Sequence, residues 1–191
     1  MSQAEKERAL GAYLVASART GDRRAMDGLV RLHGPRLFAH AARLLGEREG
    51  ARDAVQEAWV EILRALPALR DDAAFLPFAL RITSRRVGRI IGARQRQRAI
   101  AAEAGAQALA LGTAEAGEPG AEAHDAARVR AALEALPPAH RATVALFYLE
   151  DLTVAEVAAV LDVPLGTIKT RLMHARAKLR ALLEPQDGEV S

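Results

Sequence analysis

The sequence predicts an all-α protein: two small helical domains joined by a flexible acidic linker. Three observations carry that prediction. Alanine and leucine dominate long runs while glycine and proline fall between them, which is the composition of helical chains. Apolar residues recur three and four apart, and no segment sustains the alternation of a strand. Residues 99–126 then break the pattern. They are largely Ala, Gly and Glu with Pro119, hold five acids (Glu103, Glu115, Glu118, Glu122, Asp125) and carry no Lys or Arg, as connectors do.

The first helix is the amphipathic N-terminal segment, ending near Thr20-Gly21-Asp22. Ala9–Ala18 is apolar, follows Lys6 and Arg8 and ends in Ala-Ser-Ala, as a signal peptide would. Glu5 and Glu7 cancel that basic flank, and Leu10, Tyr13, Leu14 and Ser17 have the spacing of one helix face. The segment is therefore read as structure, and the protein as cytoplasmic. Asp22 can cap the second helix, where Ala25, Leu29, Leu32 and Arg36-Leu37 line up before Gly46 ends the run. The third covers about Ala51–Ala65, with Val55, Trp59, Ile62, Leu63 and Leu66 on its buried face, and Pro67 closes it. After the Leu69–Ala73 loop, the fourth begins near Phe75, with Pro77 tolerable in its first turn, and runs to about Gln97. Residues 1–98 form the first domain.

Residues 127–184 form the second, followed by a short tail, 185–191. Val129, Ala132, Leu133 and Leu136 make one short helix, stopped by Pro137-Pro138, and another spans about Ala139–Leu149. Thr153-Val154-Ala155-Glu156 is a capping box. It opens a helix with Val154, Val157, Ala158 and Leu161 on one face. Asp162–Gly166 is a tight turn, and a last helix carries Ile168, Leu172, Ala175, Leu179 and Leu182 on a seam.

Composition excludes several chemistries. With 191 residues and no cysteine, the chain has no disulfide, thiolate metal site or cysteine nucleophile. Its five histidines (His33, His40, His124, His140, His174) never fall at a close ligand spacing, so no metal is expected. No catalytic arrangement and no cofactor loop is present, and an enzyme is not expected. No stretch approaches the ~20 apolar residues of a membrane span, so no membrane insertion is expected.

Charge is more informative by position than by its total of +3. Residues 81–98 hold seven arginines (Arg81, Arg85, Arg86, Arg89, Arg94, Arg96, Arg98) and no acid; residues 163–183 hold five bases and no acid. Two such runs in separate domains suit a phosphate backbone better than a solvated face. The third helix is opposite in character. Asp53, Glu57 and Glu61 are four apart, bordered by Gln56, and form an acidic ridge. In a DNA-binding chain such a ridge suggests a basic protein partner.

Thr153–Leu182 has the layout of a helix-turn-helix. On its last helix, Thr167, Lys169, Thr170, Arg171 and His174 lie off the apolar seam. Thr170 and Arg171 can reach base edges, while Lys169, Arg176 and Lys178 suit phosphates. His174 fits a surface residue as well as a base reader.

Three stretches of the second domain together resemble the C-terminal domain of an extracytoplasmic-function (ECF) RNA polymerase sigma factor. They are Leu136-Pro137-Pro138-Ala139-His140-Arg141, Leu152–Ala158 (LTVAEVA) and Val163–Leu172 (VPLGTIKTRL) followed by Ala175-Arg176. Asp53–Trp59 (DAVQEAW) is similar to the family's acidic helix, and Asp22–Met26 with Leu29 to its opening helix. Arg52, Phe78, Arg85 and His174 stand where the family commonly has an acid, Trp, Asn and Arg. The resemblance covers about residues 10–98 and 127–184.

It implies partners and roles. Asp53, Gln56, Glu57 and Glu61 would bind core RNA polymerase. The fourth helix and the loop before it would engage the −10 promoter element, with Phe75 and Phe78 as the available aromatics and Arg81, Arg85, Arg86 and Arg89 on the backbone. Both phenylalanines also fit plain core residues of a helix start. Thr167–Lys178 would read the −35 element of promoter DNA, and an anti-sigma factor is a further partner. Two other readings stay open: a helix-turn-helix DNA-binding regulator, and a sigma-like decoy that sequesters an anti-sigma factor.

Overall fold

A computed structural model describes residues 3–103 and 121–183, with side chains at 5–101 and 127–183. Helix α1 (Gln3–Arg19) leads into α2 (Arg23–Leu45), α3 (Arg48–Ala65) and, after two single 3-10 turns at Leu66–Ala68 and Asp72–Ala74, α4 (Phe75–Glu103). Then come α5 (Ala121–Glu134), α6 (Pro138–Val144), whose last turn Ala145–Leu149 is wound as a π-helix, α7 (Val154–Leu161) and α8 (Leu165–Leu183). The described residues contain no strand.

The local signals hold where they were strongest. Asp22 caps α2 by accepting from the amides of Arg24 and Ala25, and Gly46 ends it in the left-handed region at φ 75°. Thr153 and Glu156 make both halves of the capping box on α7, and Asp162 closes that helix at φ 56°.

Faces and ends moved more. On α1 the buried residues are Gly11, Val15 and Ala18, while Leu10 and Tyr13 are 49% and 69% exposed. Close approach explains the rotation. A Cβ on Gly11 would lie 3.2 Å from Nε2 of His33 on α2, and one on Gly28 2.9 Å from Cδ2 of Leu14. The small-residue stripe lets the two helices meet, and the larger side chains are left outside. On α2 the buried seam is Ala25, Leu29, His33, Leu37, His40 and Ala41; Leu32 and Arg36 lie only at its edge. Helix α4 runs past Gln97 to Glu103, and α5 starts at Ala121. Both ends of the expected 99–126 linker are thus helical, and its middle, 104–120, lies outside the described residues.

The second domain buries Leu136, Leu146, Leu152, Val157, Val160, Ile168, Leu172 and Ala175, whereas Val129 and Leu182 are 46% exposed. Its core is continuous with that of the first domain. Helix α7 packs against α4, and α6 against α2. Separate domains in sequence share one apolar interior in space.

Candidate nucleic-acid and protein interfaces

Helix α3 buries Ala51, Ala54, Val55, Ala58, Trp59 and Ile62 against α2 and α4. That leaves Asp53, Gln56 and Glu57 exposed and Glu61 half-exposed on the opposite face. The ridge expected from the four-residue spacing is therefore on the surface. Val60, 50% exposed, gives it an apolar centre. At its edge Glu57 pairs with Arg86 of α4, and a shallow groove there is lined by Glu57, Val60, Glu61, Arg64, Arg86 and Arg89.

Helix α4 carries both core and charge. Ala79, Leu80, Ile82, Thr83 and Val87 are buried while Arg81, Arg85 and Arg89 point outward. Three of its seven arginines are engaged by acids: Arg85 with Asp162 at 3.8 Å, Arg86 with Glu57 and Arg94 with Glu47. Arg81 and Arg89 make no ion pair among the described residues. Phe75, one of the two expected aromatics, is 2% exposed. Its ring packs 5.0 Å from His33, 6.3 Å from Trp59 and 6.4 Å from Phe78. In this arrangement it is a core residue and offers no ring to a base; Phe78, half-buried, is the one nearer solvent.

Helix α8 presents its bases differently. Ile168, Leu172 and Ala175 face α6 and α7, so Lys169, Thr170, His174, Arg176 and Lys178 are exposed, with Thr167 and Arg171 half-buried beside them. Thr170 Oγ1 donates to the Gly166 carbonyl at 3.1 Å, which aims its lone pairs away from the helix. The His174 ring meets His140 edge-on at 6.2 Å. Arg176 is held within the domain: Nε donates to the Tyr148 hydroxyl at 2.6 Å, and the guanidinium lies 5.7 Å from the Tyr148 ring centre.

Residues with no joint role legible in the sequence join the two domains. Glu150, 4% exposed, receives Arg36 Nε at 2.8 Å on one carboxylate oxygen and Arg43 Nη2 at 2.7 Å on the other. Arg36 Nη2 also donates to the Glu150 carbonyl at 3.0 Å. No local signal marks this cluster, since its partners are separated by 107 and 114 residues. The buried histidines of α2 are likewise a tertiary result. Burial, with Arg36 adding to it and Glu7 opposing, pushes His33 down to about 4. Burial and then Arg43 push His40 to about 3, and its Nε2 lies 2.8 Å from Ser84 Oγ.

Among the described residues no group of His, Cys, Asp or Glu is arranged to hold a metal ion, and no helix is long and apolar enough to cross a membrane.

Comparison with known proteins follows the same division. Residues 29–98 match the family model for sigma-70 region 2, and residues 126–179 that for sigma-70 region 4. The ECF RNA polymerase sigma factor SigE of Mycolicibacterium smegmatis is 34% identical over 90% of this chain and 68% of its own length. The chain belongs to the ECF sigma factors of the sigma-70 family. The sigma factor CnrH of Cupriavidus metallidurans is 35% identical over 90% of this chain and 93% of its own. A solved structure of CnrH in complex with the cytosolic domain of CnrY superposes with a TM-score of 0.61, covering 91% of this chain and 97% of that one at 28% identity. In this sigma factor, region 2 spans the acidic ridge and the whole arginine stripe, and region 4 spans nearly all of the helix-turn-helix.

Proposed function

We propose that this ECF sigma factor binds core RNA polymerase through Asp53, Gln56, Glu57 and Glu61 and directs it to promoters. The start of α4, with Phe78 and Arg81, Arg85, Arg86 and Arg89, engages the −10 element. Helix α8, with Thr167, Lys169, Thr170, Arg171, His174, Arg176 and Lys178, reads the −35 element. The observation that carries this reading is an exposed acidic ridge and an exposed basic recognition helix on one chain, in the two regions that match sigma-70 models. A basic surface on the polymerase meets the ridge, and duplex phosphates meet the helix. Sigma factors are not enzymes in general. In this reading the chain acts in the cytoplasm without cofactor or catalysis of its own, and polymerisation belongs to the polymerase.

An anti-sigma factor completes the partner set; its support is that the CnrH relative was solved bound to a domain of another protein. The regulator and decoy readings are not favoured, because the relatives matched over nine-tenths of this chain are sigma factors.

The test combines core polymerase with the purified chain and scores promoter-specific initiation. Glu57→Lys with Glu61→Lys should abolish polymerase binding and leave binding to −35 duplex intact. Equal loss of both, or no specific initiation and no polymerase binding by the parent chain, contradicts the proposal.

A further inference from the structure

The end of α6 is not explained by core packing alone. Its last turn, Ala145–Leu149, is wound as a π-helix, with the Glu150 amide donating to the Ala145 carbonyl at 3.1 Å. Single π turns are rare, and many of them occur at functional sites. This one keeps Ala145 and Leu146 in the core, leaves Phe147 half-buried and brings Tyr148 out beside α8, 51% exposed. The Phe147 and Tyr148 rings meet edge-on, 4.9 Å between centres and 87° between planes. Arg176 of α8 lies against both. Its guanidinium carbon is 6.0 Å from the Phe147 ring centre and 5.7 Å from that of Tyr148, and its Nε donates to the Tyr148 hydroxyl at 2.6 Å.

These contacts fix a long side chain without hiding it. Arg176 stays exposed, and no acid pairs with it among the described residues. Because Tyr148 takes Nε, the two Nη groups, the end-on fork of the guanidinium, are left for an acceptor outside the domain. The position on α8 points to the kind of acceptor. At about 100° per residue, Lys169 and Arg176 share one flank of the helix, while Thr167, Arg171, His174 and Lys178 share the other. A recognition helix lies in the major groove between two phosphate backbones, so a flank residue meets a backbone rather than base edges. We propose that Tyr148 is a positioning residue for −35 recognition, holding Arg176 in place for a backbone phosphate on that flank, with Phe147 as the shelf beneath it. This assignment rests on the −35 role proposed for α8. Ordering one rotamer-rich side chain on binding costs about two- to tenfold in affinity, and Tyr148 removes that cost in advance. The tyrosine carries no charge of its own, so it raises affinity without changing the number of phosphates neutralised.

The test titrates the full chain onto duplex carrying the −35 element at several salt concentrations. Tyr148→Phe keeps the ring and its contact with Phe147 and removes only the hydroxyl. It should weaken binding about two- to tenfold, alike for every −35 sequence, and keep the parent's salt slope, helicity and urea midpoint. Arg176→Ala should weaken binding and lower the salt slope by about one. In the Arg176→Ala background Tyr148→Phe should have no further effect, since the hydroxyl acts only through the guanidinium. Nuclear relaxation of the Arg176 Nε–H in the free chain gives a readout without DNA: ordered in the parent, mobile in Tyr148→Phe. A mobile Nε–H in the parent overturns the proposal. So does a Tyr148→Phe chain that binds as the parent does, or more tightly, while Arg176→Ala still loses affinity; the −35 reading then stands. A loss from Tyr148→Phe that persists in full without Arg176 makes Tyr148 a direct contact and overturns positioning. Arg176→Ala with parental affinity and slope, or a parent that binds no −35 duplex, instead overturns the −35 reading at this residue, and the positioning role falls with it.

Discussion

Helices α4 and α8 are both long and basic, yet they hold their charge in different ways. Helix α4 is a core helix of region 2: Phe75, Ala79, Leu80 and Val87 are buried, and three of its arginines are engaged by acids of α3, α7's C-cap and the α2–α3 turn. Helix α8 buries one seam only, and no acid pairs with Lys169, Arg171 or Lys178 among the described residues. The difference teaches that a run of like charge does not by itself make a free binding face. On α8 Lys169, Arg171 and Lys178 are available at once, while Arg176 is held by Tyr148. On α4 the bases are available in part, and the remainder depends on what the neighbouring helices do.

The comparison can be broken most forcefully in the core beneath α4. Phe75→Ala should destabilise the fold by about 3–5 kcal/mol, as for other buried aromatics, and Phe78→Ala by much less. Urea midpoints compare the two directly; equal effects would contradict the assignment of Phe75 to the core. Acid sharpens the contrast next. His33 and His40 are held neutral under α4, at about 4 and about 3, while the unfolded chain takes up those protons near 6.5. Stability is therefore full above pH 6.5 and falls as pH drops towards those values, by about 1.4 kcal/mol per pH unit for each histidine. Region 4 has no buried histidine among the described residues. Urea titrations at pH 7 and pH 5 should show region 2 losing stability, and an unchanged midpoint contradicts it.

On α8 the expected effects are smaller and concern DNA. Arg171→Ala should cost about 1–3 kcal/mol on −35 duplex and relax sequence preference at one position. Lys178→Ala should weaken all sequences alike and lower the salt slope by about one. Binding isotherms at several salt concentrations separate the two behaviours, and an Arg171→Ala chain that keeps its affinity and preference removes that residue from the reading set.

Much of this was legible residue by residue. The caps Asp22, Gly46 and Thr153-Glu156 and the acidic and basic helix faces all follow from spacings of one to eight residues. What was illegible followed a different rule. Gly11 and Gly28 turned α1 by setting how closely two helices approach, a property of the pair. His33 and His40 became buried because α2 is covered from several sides. Phe75 was ambiguous at a helix start until Trp59 and His33 closed over it.

The sequence by itself determined an all-α chain, its two halves, and where each sign of charge lies, because periodicity, capping and composition act locally. Only the tertiary structure decided that the halves share an interior and that Glu150 is closed between Arg36 and Arg43. A buried carboxylate needs compensating charge wherever the chain can supply it. Here the supply lies more than a hundred residues away.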